Sequence, residues 1–152
     1  MSRNIVRVGI LLILALAVGV LPLSAQELRL EGLGGEALRE ADLDGKRTII
    51  VFWASWSPRG RDVVDRVNGI ADQWAGKARV ITVNFQEDPA TVRQFLAGKG
   101  LKVPVFLDAD ASFSKKYSRP DLPALVVLDG RKPLLKVRMP ADPNAELSRV
   151  LG

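Results

Sequence analysis

The chain has 152 residues, 47% of them hydrophobic and 26% charged, the composition of an ordinary globular domain. It contains no Cys and no His, which excludes thiol redox chemistry, disulfides, imidazole-based nucleophilic catalysis, c-type haem attachment and zinc sites built on thiolate or imidazole. The formal charge is +5 from 22 Lys and Arg against 17 Asp and Glu; without Arg3 and Arg7, which precede an apolar stretch, 20 against 17 leave +3, too little for a dedicated nucleic-acid binder.

Residues 1–25 read as a signal peptide. Arg3 and Arg7 stand before Val8–Leu21, an uncharged run of 14 residues, and small Ser24-Ala25 then precede polar Gln26-Glu27. A membrane-spanning helix needs about 20 apolar residues, so a cleaved leader fits better than the alternative, an uncleaved anchor. No Cys follows to carry a lipid. The remaining residues, 26–152, are expected to be exported, free of the membrane after cleavage, and long enough to bury one core without disulfides.

Residues 27–44 contain Gly and a mixed pattern, read as a short edge strand and a turn. Arg47 to Phe52 form a β-branched run expected to be a buried central strand. Ser57-Pro58 offer an N-cap and a first-turn proline, and Val63, Val67, Ile70, Ala71 and Trp74 recur at helical spacing before Gly76. Arg79 to Phe85 are a second buried strand. Asp88-Pro89 open a helix with Val92, Phe95 and Leu96 on one face, closed by Gly98 and Gly100. An extended segment at Val103 to Leu107, a short helix at Ala111 to Tyr117 and a third strong strand at Ala124 to Leu128 follow. Asp129-Gly130 turn the chain into Leu134 to Met139, and Asp142-Pro143 start a last helix running to Leu151. Strands alternating with helices and ending in a hairpin imply an α/β fold, a three-layer sandwich around a mixed sheet, as one domain over 26–152.

Residues 45–61 (GKRTIIVFWASWSPRGR) resemble the central strand and active-site loop of the thioredoxin-like superfamily, in particular its exported TlpA/ResA-type disulfide reductases of the redoxin kind. The similarity continues through Val83 to Pro89, Phe106 to Asp110 and Tyr117 to Gly130. In that family a phenylalanine-tryptophan-alanine-x-tryptophan run leads into Cys-x-x-Cys, and a cis-proline faces the dithiol. The resemblance maps these onto Phe52 to Trp56, onto Ser57 and Gly60, and onto Pro123. Both cysteines are therefore replaced. Val51 and Val63 stand where relatives carry acidic or polar groups, Ala124 where they often carry threonine, and Asp65 where they carry a helix-kinking proline. A framework retained without its chemical groups implies a member of the fold without dithiol activity: Ser57 cannot form a mixed disulfide.

The residues left at the site allow two readings. Ser57, Pro58, Arg59 and Gly60 at a helix start could dock a small anion through backbone N–H groups, aided by Arg59 and Arg61; the simpler reading makes Ser57 a cap, Pro58 the first helical residue and the arginines solvated. By the resemblance, Trp56 borders a groove with Leu122 and Pro123 where an extended peptide or protein partner could add by main-chain hydrogen bonds, whereas Trp53 belongs to the core. The alternative is an accessory role beside a cysteine-bearing partner in periplasmic thiol–disulfide exchange. Asp108/Asp110 and Glu87/Asp88 fit turn and cap roles and are too few for a metal; Lys115-Lys116 and Arg131-Lys132 read as solvated surface. With no phosphate-cradling motif and no hydrolase elbow, neither a cofactor, a metal nor a catalytic residue is expected. N-terminal sequencing of exported protein is expected to begin at Gln26; material beginning at Met1 would replace the cleaved leader with an anchor.

Overall fold

Strand β3 (Arg47–Trp53) buries every residue after Arg47, so water reaches neither of its faces and it must lie in the middle of a sheet with cover on both sides. The computed structural model describes residues 26–152; the leader lies outside the described residues. There β3 pairs in parallel with β4 (Arg79–Phe85) and antiparallel with β6 (Ala124–Asp129), Val51 facing Thr82 on one side and Leu125 on the other. With β1 (Arg29–Gly32), β2 (Ala37–Arg39), β5 (Val105–Asp108) and β7 (Lys132–Arg138) the sheet has seven strands in the order β2-β1-β5-β4-β3-β6-β7.

The two-residue alternation of a strand sorts the side chains into two cores. Ile49, Val51 and Trp53 join Val67 and Ile70 of α1 (Val63–Trp74), Val92 of α2 (Pro89–Leu96) and Leu147 of α4 (Pro143–Leu151). Ile50 and Phe52 instead meet Leu38, Leu43, Phe106 and, from α3 (Ser112–Tyr117), Phe113 and Tyr117. Aromatic contacts mark both sides: Trp53 lies 5.2 Å from Phe95 and Phe113 lies 4.7 Å from Tyr117, ring centre to ring centre. The α/β three-layer sandwich around a mixed sheet expected from the sequence is the fold observed. Among the described residues no helix is long and apolar enough to cross a membrane.

Two local readings change. Residues 27–44 hold a whole hairpin, β1 and β2, followed by a 3-10 turn over Glu40–Leu43; of these two strands β2 lies at the sheet edge and β1 pairs on both sides. Its turn depends on Gly32, where a Cβ would fall 2.6 Å from the Glu36 carbonyl oxygen. Helix α1 begins at Val63 and not at Pro58, because Pro58–Gly60 form a separate 3-10 turn and the Ser57 side chain does not cap it. The cap roles of Asp88 and Asp108 hold: Asp88 accepts from the Thr91 N–H at 2.9 Å and buried Asp108 from the Ser114 N–H at 2.7 Å.

Lys116 and Arg131, expected to be solvated, converge with Tyr117 on Glu40, a carboxylate only 4% exposed. Arg131 also forks onto Asp44 at 2.7 and 2.8 Å, tying the 3-10 turn to the β6–β7 hairpin. Burial raises the Glu40 pKa, but the hydrogen bonds from Lys116 and Tyr117 outweigh it and hold the carboxyl below its ordinary value. Burial, and then the hydrogen bond to the Glu40 carboxylate, raise the Tyr117 phenol. A folded pKa below the unfolded one makes ionised Glu40 stabilising above the ordinary value of 4.5, with that contribution lost as pH falls through the lowered pKa. Glu40→Gln should therefore cost about 1–3 kcal/mol at neutral pH, by urea unfolding, and the gap to wild type should narrow as pH falls below the ordinary value of 4.5; a gap constant with pH would show that the charge contributes nothing.

Candidate functional site

The carboxyl end of β3 delivers Ala54 to Asp62 to the top of the sheet, between β4 and β6. Trp53 is fully buried, whereas Trp56, three residues on, leaves the core and is 62% exposed. The loop turns twice on itself: the Ser57 N–H donates to the Ala54 carbonyl at 3.2 Å and the Gly60 N–H to the Ser57 carbonyl at 2.9 Å. Ser57 is buried and its Oγ donates to the carbonyl of Leu122 at 2.9 Å. That bond explains why it does not act as a cap. It fastens the turn to the segment before β6, where the Leu122–Pro123 peptide is cis. Pro123 is buried against Gly60: a Cβ placed on Gly60 would lie 3.8 Å from Pro123 Cγ and 3.7 Å from the Cβ of Ser57.

A second fastening was not legible in the sequence. Glu87, assigned there to a turn, accepts from the Ser55 N–H at 2.8 Å and from the Ser55 hydroxyl, and its Oε2 also accepts from Asn84 Nδ2 at 2.7 Å. Its carboxylate spans 32 residues of sequence to clamp the loop to the end of β4. The only signal available was an acid two residues past a buried strand, which fits many turns equally well. Beneath the turn, Val51 and Val63 both sit in the apolar cluster under α1, so neither position carries an exchangeable proton.

The seven residues singled out from the sequence come together, but around two clefts instead of one concave face. Trp56 and Leu122 border a cleft of about 430 Å³ with Lys115 and Arg119. Pro58, Arg59 and Pro123 border another of about 360 Å³ with Arg61 and Arg138. Ser57 and Gly60 form the buried seam between them. Because α1 starts at Val63, with Val63 and Val64 buried, the Ser57–Gly60 turn does not present the amino end of a helix. The helix-dipole basis for an anion there is lost. What remains is the side-chain charge of Arg59 and Arg61, both exposed.

A parallel-centred sheet clad by helices on both faces, with this loop beside a cis-proline, defines a thioredoxin-like domain. The Redoxin family pattern matches residues 23–151, and the chain belongs to that family. The thiol-disulfide oxidoreductase ResA of Bacillus subtilis is 25% identical over 150 residues, covering 89% of this chain and 84% of the relative. ResA of Halalkalibacterium halodurans is 25% identical over 109 residues, 71% of this chain; the chain spans 62% of that relative. Among solved structures, the exposed lipoprotein thioredoxin of Streptococcus pneumoniae shares the fold with a TM-score of 0.70 at 22% identity, covering 82% of this chain and 98% of its own. A putative thiol:disulfide interchange protein DsbE of Chlorobium tepidum does so at 0.70 and 24%, covering 84% and 95%. The resemblance read from the sequence is thus borne out as family and as fold. The chain nonetheless has no thiol.

The turn keeps a geometry that a disulfide could use. A bridge needs Cβ atoms about 3.5–4.5 Å apart, and positions 57 and 60 offer 3.7 Å. Wild-type protein should leave an insulin disulfide intact, and the Ser57→Cys, Gly60→Cys double variant should close an intramolecular disulfide under mild oxidation, seen as loss of two titratable thiols. Two thiols that stay free would show that these positions do not correspond to the dithiol of the family.

Proposed function

We propose that this Redoxin-family protein is an exported binding module without dithiol activity, and that the surface around Trp56, Leu122 and Pro123 takes an extended peptide or a segment of a protein partner. The observation that carries this reading is Trp56: a large apolar side chain 62% exposed at the lip of a cleft, on a loop held by two long-range fastenings. Leaving a tryptophan in water forgoes its burial energy, whereas docking a partner on it recovers that energy. Among the described residues the Leu122 N–H donates to no backbone or side-chain acceptor, so it is free to pair with the main chain of a bound strand. Export is supported by the leader read from residues 1–25.

A second reading is favoured by the names of the relatives: an accessory role in which the groove holds substrates for a cysteine-bearing partner. The two readings differ in whether a disulfide in the peptide matters.

Binding of a panel of extended peptides, followed by backbone amide shifts, should move Trp56 and Leu122 and leave the β1–β2 hairpin unmoved. Trp56→Ala should weaken the best peptide about 10- to 30-fold, the usual loss for an aromatic anchor. Shifts clustered away from the groove, or unchanged affinity in Trp56→Ala, would discard the peptide site; preference for disulfide-bearing peptides would select the accessory role.

A further inference from the structure

We propose that the occupant of the Trp56 groove is an extended acidic segment, with carboxylates on both sides of an apolar side chain; this rests on the groove being a peptide site. The charge of the domain is unevenly placed. Residues 26–152 carry 20 basic and 17 acidic side chains. Six of the basic ones (Arg59, Arg61, Arg66, Lys115, Arg119 and Arg138) line the two clefts, against one acid, Asp62. The rest of the domain is left with 14 basic and 16 acidic residues. The whole positive excess therefore sits on the face that carries the exposed tryptophan.

Part of that charge is already neutralised. Arg66 pairs with Asp62 at 2.8 Å, and Arg119 and Arg138 reach Asp121 at 3.4 and 4.0 Å. Arg59, Arg61 and Lys115 are in none of the close ion pairs formed among the described residues, Lys115 acting on Asp110 only at longer range, and all three are exposed. They fall on opposite sides of the site: Lys115 in the cleft with Trp56 and Leu122, Arg59 and Arg61 in the cleft with Pro123. A compact anion could reach only one side. A chain laid along Leu122 would place side chains over both, with an apolar group on Trp56 between them. Cations separated by an apolar surface match an acidic peptide better than a nucleic acid, which asks for a continuous basic stripe and a larger net charge than +3.

The test uses purified protein and three fluorescent peptides of equal length with the same central Leu-Phe, flanked by Glu, by Gln or by Lys. Fluorescence anisotropy is read at low and physiological salt. The Glu peptide should bind about tenfold tighter than the Gln peptide at low salt and lose most of that advantage at physiological salt, while the Lys peptide binds weakest. Arg59→Gln with Arg61→Gln, and separately Lys115→Gln, should each reduce the Glu peptide about two- to fivefold and leave the Gln peptide unchanged. Lys132→Gln, at the far end of β7 from Arg138, removes the same charge and should do neither. Equal binding of the Glu and Gln peptides overturns the acidic preference but leaves the peptide groove standing. No binding of any peptide, with wild type and Trp56→Ala alike, overturns the groove and the acidic preference together. A single-stranded oligonucleotide or anionic phosphatidylglycerol vesicle that competes as well as the Glu peptide also overturns it, in favour of general polyanion binding.

Discussion

Burial of β3 on both faces is the constraint from which the rest of the molecule follows. Ile49, Val51 and Trp53 need one apolar layer, Ile50 and Phe52 another, and no arrangement short of helices on either side of the sheet satisfies both. Once β3 is central, its carboxyl end must emerge among the loops that connect sheet to helices, in the place where open α/β sheets present their sites. The loop from Ala54 to Asp62 is therefore a consequence of core packing before it is anything functional. The abrupt change from buried Trp53 to exposed Trp56 happens within three residues because the strand ends there.

The loop is rigid for reasons distributed along the chain. Ser57 reaches Leu122, 65 residues away, and Glu87 reaches back to Ser55. Each bond satisfies a polar group that the turn would otherwise bury unpaired, at about 1–3 kcal/mol per group left unsatisfied. These contacts keep the spacing of positions 57 and 60 although neither residue can use that spacing for redox chemistry. Loss of thiols and retention of geometry are separable because different atoms carry them. Relatives such as ResA are named thiol-disulfide oxidoreductases; here the backbone, a hydroxyl and a carboxylate hold the shape.

A rigid surface changes what binding costs. A partner that docks on a loop already fixed forfeits only its own freedom, and an aromatic side chain with two torsions loses little more. The concentration of unpaired cations around the same loop adds direction, since exposed charges steer an encounter and sort partners more than they add affinity. The charges gathered around Glu40 act differently. Lys116 and Arg131 close on buried Glu40 and hold the 3-10 turn against the hairpin, so the neighbours Lys115 and Lys116, which look alike in the sequence, have unlike roles.

Hydrophobic period, proline and glycine punctuation, and cap residues suffice for the strands, the helices, the three-layer class and the absence of thiol and imidazole chemistry, because those properties are local or compositional. The resemblance to the family's active-site loop is likewise carried by residues 45–61. The start of α1, the full β1–β2 hairpin, the clamp by Glu87 and the division of the site into two clefts are not legible in the sequence. Ser57 looks like a cap until Leu122 offers its carbonyl from the start of the neighbouring strand β6, and Glu87 looks like a turn acid until Ser55 lies against it. Such assignments turn on which of two good hydrogen-bond partners is nearer, and only the packed chain brings the distant partner within 3 Å.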